Sequence, residues 1–409
     1  MMTSSTDYDV LIIGGGLVGG SLACALGGQN LRIGLVEAYP FKSARQPSYD
    51  DRSIALAYGS RCILESIDLW QPLAEHSTAI HKIHVSDRGH FGFTHLDRHD
   101  SGHDALGYVI ENRNIGNVFA EALGQQDNIE LLCPAELQSL TTDDQQAQVT
   151  ITQNKQQRKL SARLIIGADG GQSAVRRLCN IPTRHWDYGQ SAIIANITPE
   201  YCHQNIAYER FTDTGPLALL PMSERRCSLV WTVRNETVDD ILALSEEDFL
   251  AQLQQRFGHR LGTLQQCGRR TSYPLHLIRA RQHDTARVAL IGNAAHTLHP
   301  IAGQGFNLGI RDVAALAQVL CDTLQLGKDI GAATTLQQYE QWRSKDQRNV
   351  SAMTDALVRI FSNNFTPLVL ARNAGLLAMD LLPPLKRRLA RQAMGLAGRL
   401  PRLARGLPL

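Results

Sequence analysis

The feature that most constrains this chain is a glycine turn set between an apolar strand and a helix. Asp9 to Ile13 (DVLII) is a continuous buried-strand run, Gly14 to Gly20 is the turn, Ser21 to Leu26 (SLACAL) opens a helix, and Arg32 to Val36 (RIGLV) is a second strand. That order is a βαβ unit, which commits the N-terminal part to an α/β architecture. Gly14-Gly15-Gly16-Leu17-Val18-Gly19 reads GxGxxG. Gly14 permits the tight turn, Gly16 lets a pyrophosphate approach the backbone, and Gly19 lets the helix pack on the strand. The helix N-terminus adds N–H groups and positive partial charge. Glu37 ends the second strand 21 residues after Gly16, where a carboxylate accepts hydrogen bonds from ribose hydroxyls. The bland alternative is a glycine-rich turn beside a surface glutamate. The position of Glu37 favours a dinucleotide, but it does not tell NAD from FAD.

Composition narrows the class. The chain has 409 residues, 43% hydrophobic and 20% charged, enough to bury a large core and to form more than one domain. A net charge of +2 gives no reason to expect nucleic acid. The eight cysteines form no CxxC pair and no zinc-like cluster, which fits a reducing cytoplasm. The start, MMTSSTDYD, lacks a basic patch followed by a cleavable apolar segment, and no stretch reaches the roughly 18 apolar residues a spanning helix needs. The charge is uneven, however. From Asp380 to Leu409, seven basic residues (Lys386, Arg387, Arg388, Arg391, Arg399, Arg402 and Arg405) interleave with Leu381, Leu382, Leu385, Leu389, Met394, Leu396 and Leu400. That composition suits a segment lying on an anionic surface, with a solvated or partner-docking helix as the alternative.

Short β-rich segments near 83–96 and 191–233 (SAIIANI, IAYERF, LALLPM, CSLVWTV) predict an antiparallel sheet, while RLIIGADG at 163–170 and RVALIGNAAH at 287–296 return to α/β patterning. The expected fold is a discontinuous Rossmann-like domain (1–75, 107–185 and 282–345), an inserted antiparallel-sheet substrate domain (76–106 and 186–281) and a helical, basic segment (346–409), with Pro367, Pro383 and Pro384 as breaks.

Two further blocks specify the cofactor. Leu164-Ile165-Ile166-Gly167-Ala168-Asp169-Gly170-Gly171-Gln172-Ser173 resembles the GADG signature of the para-hydroxybenzoate-hydroxylase-like flavin monooxygenases. Gly292-Asn293-Ala294-Ala295-His296 with Pro300, Gly303, Gln304, Gly305 and Asn307 resembles their GD signature. Within that family, Asp50 to Leu56 (DDRSIAL), Val85 to His90 (VSDRGH), Leu219 to Met222 (LLPM) and His299 to Gly309 (HPIAGQGFNLG) resemble the ubiquinone-biosynthesis hydroxylases, over essentially the whole chain. The GD signature usually carries Asp where this chain has Asn293, which can still hydrogen-bond a ribityl chain but brings no charge. That exchange is a feature of the branch acting on 2-polyprenyl-6-methoxyphenol.

The resemblance implies bound FAD, transient NADH or NADPH, and O2 as co-substrate. Gly14, Gly16, Leu17, Val18, Gly19 and Glu37 would hold the ADP half, with Arg52 near the diphosphate and Arg113 and Asn117 along the ribityl side. Asp169, Gly170 and Asn293 belong to the same cofactor set, and Gly303, Gln304, Gly305, Phe306 and Asn307 would place backbone N–H groups under the isoalloxazine. The oxygen-transferring species forms on the flavin, so no catalytic side chain is assigned and no metal is expected. The ring pocket is expected around Phe211, Leu219, Pro221 and Trp231, with His299 and Pro300 opposite, although Trp231 has the pattern of a core residue. His296 is expected to be a structural histidine on a helix. Only one GxGxxG is present, so the reductant would bind on the flavin domain. The implied reaction is hydroxylation of a polyprenyl phenol, in company with other ubiquinone-biosynthesis proteins, by an enzyme that is cytoplasmic or peripheral to the membrane. A sibling hydroxylase acting at another ring position and a flavoprotein scaffold stay open. A halogenase is disfavoured because Trp70, Trp186, Trp231 and Trp342 make no WxWxIP signature.

Overall fold

The computed structural model describes residues 6–41, 52–297, 303–361 and 365–409. Strand Tyr8–Ile13 lies between Ile33–Val36 and Gln156–Gly167, parallel to both, with Ile129–Leu132 and Val288–Leu290 extending the parallel set on either side. The strand Asp284–Thr285 and the antiparallel extension Ala135–Thr142 and Ala147–Gln153 complete an eight-stranded sheet among the described residues. Its central strands are apolar on both sides because both faces are covered. Val10, Ile12, Leu35 and Leu164 pack with helices Leu17–Ala25, Asn112–Gly124 and Gln304–Gln325, while Leu11, Ile165 and Leu290 fill the other face.

A second sheet contains Lys82–Asp87, Phe93–Asp97, Thr183–Pro199, Ile206–Thr212, Gly215–Pro221, Cys227–Arg234 and Thr271–Ala280, with short strands Leu264–Cys267 and His296–Thr297. It is antiparallel except where Ile206–Thr212 runs parallel to Lys82–Asp87. That exception follows from connectivity, because the chain returns to the first sheet between these strands and so has the length a parallel crossover needs. Helix Glu246–Phe257 covers one face of this sheet. Thr183–Pro199 runs unbroken across the sequence-based boundary at 185/186, and Ser77–Ile80 pairs with Gly107–Glu111 in a separate three-stranded sheet with Ser53–Ala57.

A completely buried carboxylate ties the C-terminal helices to the core. Asp312, on Gln304–Gln325, accepts from Arg343 Nε and Gln347 Nε2 at 2.8 Å each and from the Gly292 N–H at 3.2 Å, and it meets His296 Nε2 at 2.6 Å. His296 is therefore structural, as its sequence context indicates, but it sits on a short strand rather than a helix. Burial alone would push the Asp312 carboxyl up. His296 and Arg343 outweigh it and hold the group well below the usual carboxylate range.

The tail departs from expectation. Pro367 and Pro383 lie in the first turns of helices Thr366–Leu381 and Pro383–Ala393, where a missing N–H costs nothing, so they start helices rather than break them. From Met394 onward the chain is docked on the protein instead of presented to a surface. Met394 is fully buried, its carbonyl accepts the Gly59 N–H at 2.8 Å, and the Leu403 carbonyl accepts the Ser66 hydroxyl at 2.8 Å. Arg399 lies 4.0 Å from the Trp342 ring centre and Arg402 pairs with Asp322, which accounts for two of the tail's basic residues. All eight cysteines are free thiols.

Asp312→Ala takes the buried carboxylate from Arg343, His296 and Gln347, leaving Arg343 only its ion pair with Asp346, and is expected to lower stability by about 3–5 kcal/mol. Asp322→Ala, at a half-exposed pair, should cost at most about 1 kcal/mol. Because the folded pKa of Asp312 is depressed, its contribution is full above the ordinary value of about 3.9 and fades as pH falls through the lower folded value. Urea midpoints of both variants against pH check both statements.

Candidate functional site

A cavity of about 880 Å³ runs from the glycine turn, between the two large sheets, to helix Pro383–Ala393. Its first end is built by backbone geometry. The Gly14 N–H donates to the Val36 carbonyl and the Ala168 N–H to the Ile13 carbonyl, both at 2.8 Å, so the turn is held by the strands on either side. Gly14 has φ +106°, and a Cβ there would lie 2.5 Å from the Ala168 carbonyl oxygen. A Cβ on Gly19 would fall 1.9 Å from the Gly14 carbonyl oxygen, so only glycine lets the helix sit this close to the turn. A Cβ on Gly16 would meet nothing within 4 Å. It lines the cavity, so this is where a ligand can press against backbone.

Glu37 lines the same end and is almost fully buried. Its two carboxylate oxygens accept the Gly15 N–H at 2.7 Å and the Tyr39 N–H at 2.9 Å, leaving lone pairs for ribose hydroxyls. Desolvation pushes this carboxyl up, and the backbone donors of Tyr39, Gly15 and Ala38 oppose it. Asp169 Oδ2 accepts from the Ala174 and Val175 N–H groups at 2.6 and 3.1 Å, so it caps the short helix Ala174–Leu178. Its Oδ1 is buried without a partner among the described residues.

The middle of the cavity is closed by the start of helix Gln304–Gln325. Gly303 takes φ +60° and packs against strand Ser53–Ala57, where an added Cβ would approach the Ala55 Cβ to 3.0 Å. Gln304, Gly305 and Phe306 present the first turn of the helix, its positive dipole end, to the cavity. Asn307 also lines it, yet its amide is spent within the protein. Oδ1 accepts from the Ala57 N–H and the Ser60 hydroxyl, and Nδ2 donates to the Ala55 and Gly303 carbonyls, all at 2.7 Å. It is a staple between the helix start and the neighbouring strand.

Of the expected cofactor residues, Gly14, Gly16, Leu17, Val18, Glu37, Arg52, Asp169, Gly170, Asn293 and Gly303 to Asn307 line this one cavity. Gly19 shapes it from behind. Arg113 and Asn117 do not reach it: Arg113 pairs with Glu111 at 2.6 Å and Asn117 is exposed, both carried outward by helix Asn112–Gly124. Asn112, one residue earlier, lines the cavity instead. Arg52 lies 4.6 Å from the centre of the Tyr273 ring, a bridge between the sheets that no linear motif announces.

Three of the expected ring-pocket residues, Leu219, Pro221 and Trp231, are on the wrong side of the sheet. Pro216, Ala218 and Leu220 face the cavity from one strand, and Ser228, Val230 and Thr232 from the next. Leu219, Pro221 and Trp231 have the opposite parity. Leu219 and Trp231 are packed into the core under helix Glu246–Phe257, and the Trp231 ring lies edge-on to Phe249. Phe211 is on the open face, paired with Pro216, but it stacks on Phe361 with ring centres 3.7 Å apart and does not itself line the cavity. The large apolar residues mark the packed face of these strands; the small ones at every second position mark the open face. That alternation was the available signal. His299 and Pro300 lie outside the described residues.

The open cradle at Gly16, the buried carboxylate of Glu37 and the helix start at Gly303 fit an adenine dinucleotide with a flavin. Gly16→Leu should abolish retention of FAD through purification while keeping the thermal midpoint within a few degrees of FAD-stripped wild type, whereas Gly19→Ala should unfold the protein or strongly destabilise it. Flavin absorbance and calorimetry on the same preparations separate the two. Val230→Trp should raise KM for the aromatic substrate with little loss of stability, while Trp231→Ala should cost about 3–5 kcal/mol. Steady-state kinetics and denaturant melts test this difference between faces.

The chain matches the FAD binding domain family over residues 7–354. It is 41% identical over 413 positions to ubiquinone hydroxylase UbiL of Rhodospirillum rubrum, covering 100% of this chain and 95% of that protein. To the mitochondrial ubiquinone biosynthesis monooxygenase COQ6 of Homo sapiens it is 32% identical, covering 94% and 92%. Among solved structures, p-nitrophenol 4-monooxygenase PnpA from Pseudomonas putida has a TM-score of 0.79 at 18% identity, covering 96% of this chain and 98% of its own. PqsL of P. aeruginosa has 0.76 at 24%, covering 90% and 99%. At these identities the two structures establish the shared fold. With its cavity built around the three glycine-bearing motifs, the chain belongs to the FAD-dependent hydroxylases of ubiquinone biosynthesis, a family of monooxygenases with the class A flavin monooxygenase fold.

Proposed function

We propose that the protein hydroxylates 2-polyprenyl-6-methoxyphenol at the carbon para to its hydroxyl, giving 2-polyprenyl-6-methoxy-1,4-benzoquinol, with NADH or NADPH as reductant and O2 as co-substrate. The observation that carries this reading is a single cavity with two chemically unlike ends, glycine backbone and Glu37 at one and Ala192, Ile194, Ala218 and Val230 at the other. The relatives' names supply the pathway. The choice of ring rests on the resemblance carried by Asn293 and the 299–309 motif.

Gly14, Gly16 and the start of helix Leu17–Ala25 would hold the diphosphate, Glu37 the adenosine ribose, and Asp169 with Gly170 the region where the reductant meets the flavin. FAD held there would supply the redox chemistry that activates O2 for transfer to an electron-rich ring, with a nicotinamide as the source of reducing equivalents. The N-terminal turn at Gln304 to Phe306 would favour negative charge on a flavin ring beside it, since a helix start carries positive partial charge. Ala192, Ile194, Ala218 and Val230 orient the phenol and keep water away, which favours transfer over loss of activated oxygen.

Purified protein should show NAD(P)H oxidation stimulated by the phenol, with one atom from labelled O2 in the product ring. When Gly16→Leu replaces the native protein in cells, mass spectrometry of quinone precursors should find the 6-methoxyphenol accumulating. Build-up of a different precursor would move the assignment to a sibling hydroxylase, and FAD content without turnover would favour a scaffold.

A further inference from the structure

Helix Thr366–Leu381 is inside out. Its only charged residues, Arg372 and Asp380, point into the protein: Arg372 Nε donates to Asp87 at 2.8 Å, and Asp380 accepts the His95 N–H at 2.8 Å. Asn373, beside Arg372, is buried and donates to the same Asp87 at 2.9 Å. The opposite stripe, Pro367, Leu370, Ala371, Ala374 and Leu381, is exposed at helical spacing, with Leu370 57% and Leu381 74% accessible. A soluble helix carries the reverse pattern, and a contiguous exposed apolar stripe marks an interaction surface.

At Leu382 the chain bends by 96° into Pro383–Ala393, with Leu382 and Leu385 exposed at the corner. This second helix has two jobs on two faces. Outward it shows Arg387, Arg388 and Arg391; inward, Ala390 and Met394 just beyond its end are buried, and Ala393 lines the far end of the cavity with Ile80, Leu106, Ala207 and Leu220. An apolar stripe, a row of cations beside it and an apolar cavity end beneath them thus share one corner of the molecule.

We propose that the elbow formed by these two helices rests on an anionic lipid surface, and that the prenyl chain of the substrate enters the cavity beside Ala393. The apolar stripe matches the acyl boundary and the arginines match anionic headgroups. No single described helix is long and apolar enough to cross a membrane; these two reach that length and hydropathy only as a pair bent by 96°. The entry half of the proposal rests on the polyprenyl phenol reading above; the docking half does not, and the two are measured separately.

The test uses the FAD-loaded, full-length protein and co-flotation with phosphatidylcholine vesicles with and without phosphatidylglycerol. Wild type should float with the phosphatidylglycerol vesicles, and less so at high salt. Arg387→Gln, Arg388→Gln and Arg391→Gln together should weaken that binding by roughly 100-fold, at about fivefold per charge near the surface. Leu370→Glu, Leu381→Glu and Leu385→Glu together should abolish it. Both triple variants should keep bound FAD and turn over a short-chain, water-soluble phenol at the wild-type rate. Ala393→Trp should lower the ratio of long-chain to short-chain turnover at least about tenfold. Wild type that fails to float, or charge and leucine variants that float as wild type does, overturns the docking; self-association lost in the leucine variants without flotation of the wild type assigns the stripe to a protein partner and overturns it equally. An unchanged long-to-short ratio in Ala393→Trp overturns the entry route. Failure of all phenol turnover with flotation intact would instead strike the substrate reading.

Discussion

The ionised carboxylate of Asp312 is the point on which the geometry around the cavity depends. With no access to water, it needs several donors at once, and it draws them from two places: the Gly292 N–H and His296 in the segment after a sheet strand, and Arg343 and Gln347 on helix Ala333–Phe361. Satisfying one charge therefore fixes the relative position of the turn carrying Asn293 and the helix that begins at Gln304. Arg311 and Arg343 both pair with Asp346, at 2.9 and 2.7 Å, which extends the same network toward the edge of the helix pair. The four hydrogen bonds of Asn307 do the equivalent work at the helix start, joining it to Ser53–Ala57.

Close approach of backbone is the second constraint. Val18 packs where a Cβ on Gly292 or Gly309 would come within 3.0 or 2.8 Å of it, so the helix after the first turn and the long helix meet through glycine. The glycine motifs far apart in the sequence are thus mutually dependent: one forms the cradle, and another gives the room to bring the opposite wall up to it.

The first βαβ unit was legible because its physics is local: an apolar strand, a turn that needs positive φ, and a helix, all within a few dozen residues. The two later signatures were legible only through resemblance, since nothing in Asp169 or Asn293 taken alone points to a flavin. Sequence reasoning failed where a residue's direction depended on a partner elsewhere. Trp231 and Val230 are adjacent and both apolar, and only the position of helix Glu246–Phe257 decides which one is core. Arg113 was carried outward by one step of helical rotation relative to Asn112. Asp87, conspicuous in the run Val85 to His90, turns out to hold the side chains of Arg372 and Asn373, nearly 300 residues away, a pairing no local pattern could reveal.

The alternation along strands Gly215–Pro221 and Cys227–Arg234 separates folding from recognition at single-residue resolution. One set of positions is committed to burying large side chains; the interleaved set bounds an open volume and carries little of the packing. Mutational drift in the second set can reshape which aromatic ring is accepted while leaving the first untouched. A scaffold partitioned in this way is predisposed to diversify into paralogues that share an architecture and differ in the ring they oxidise.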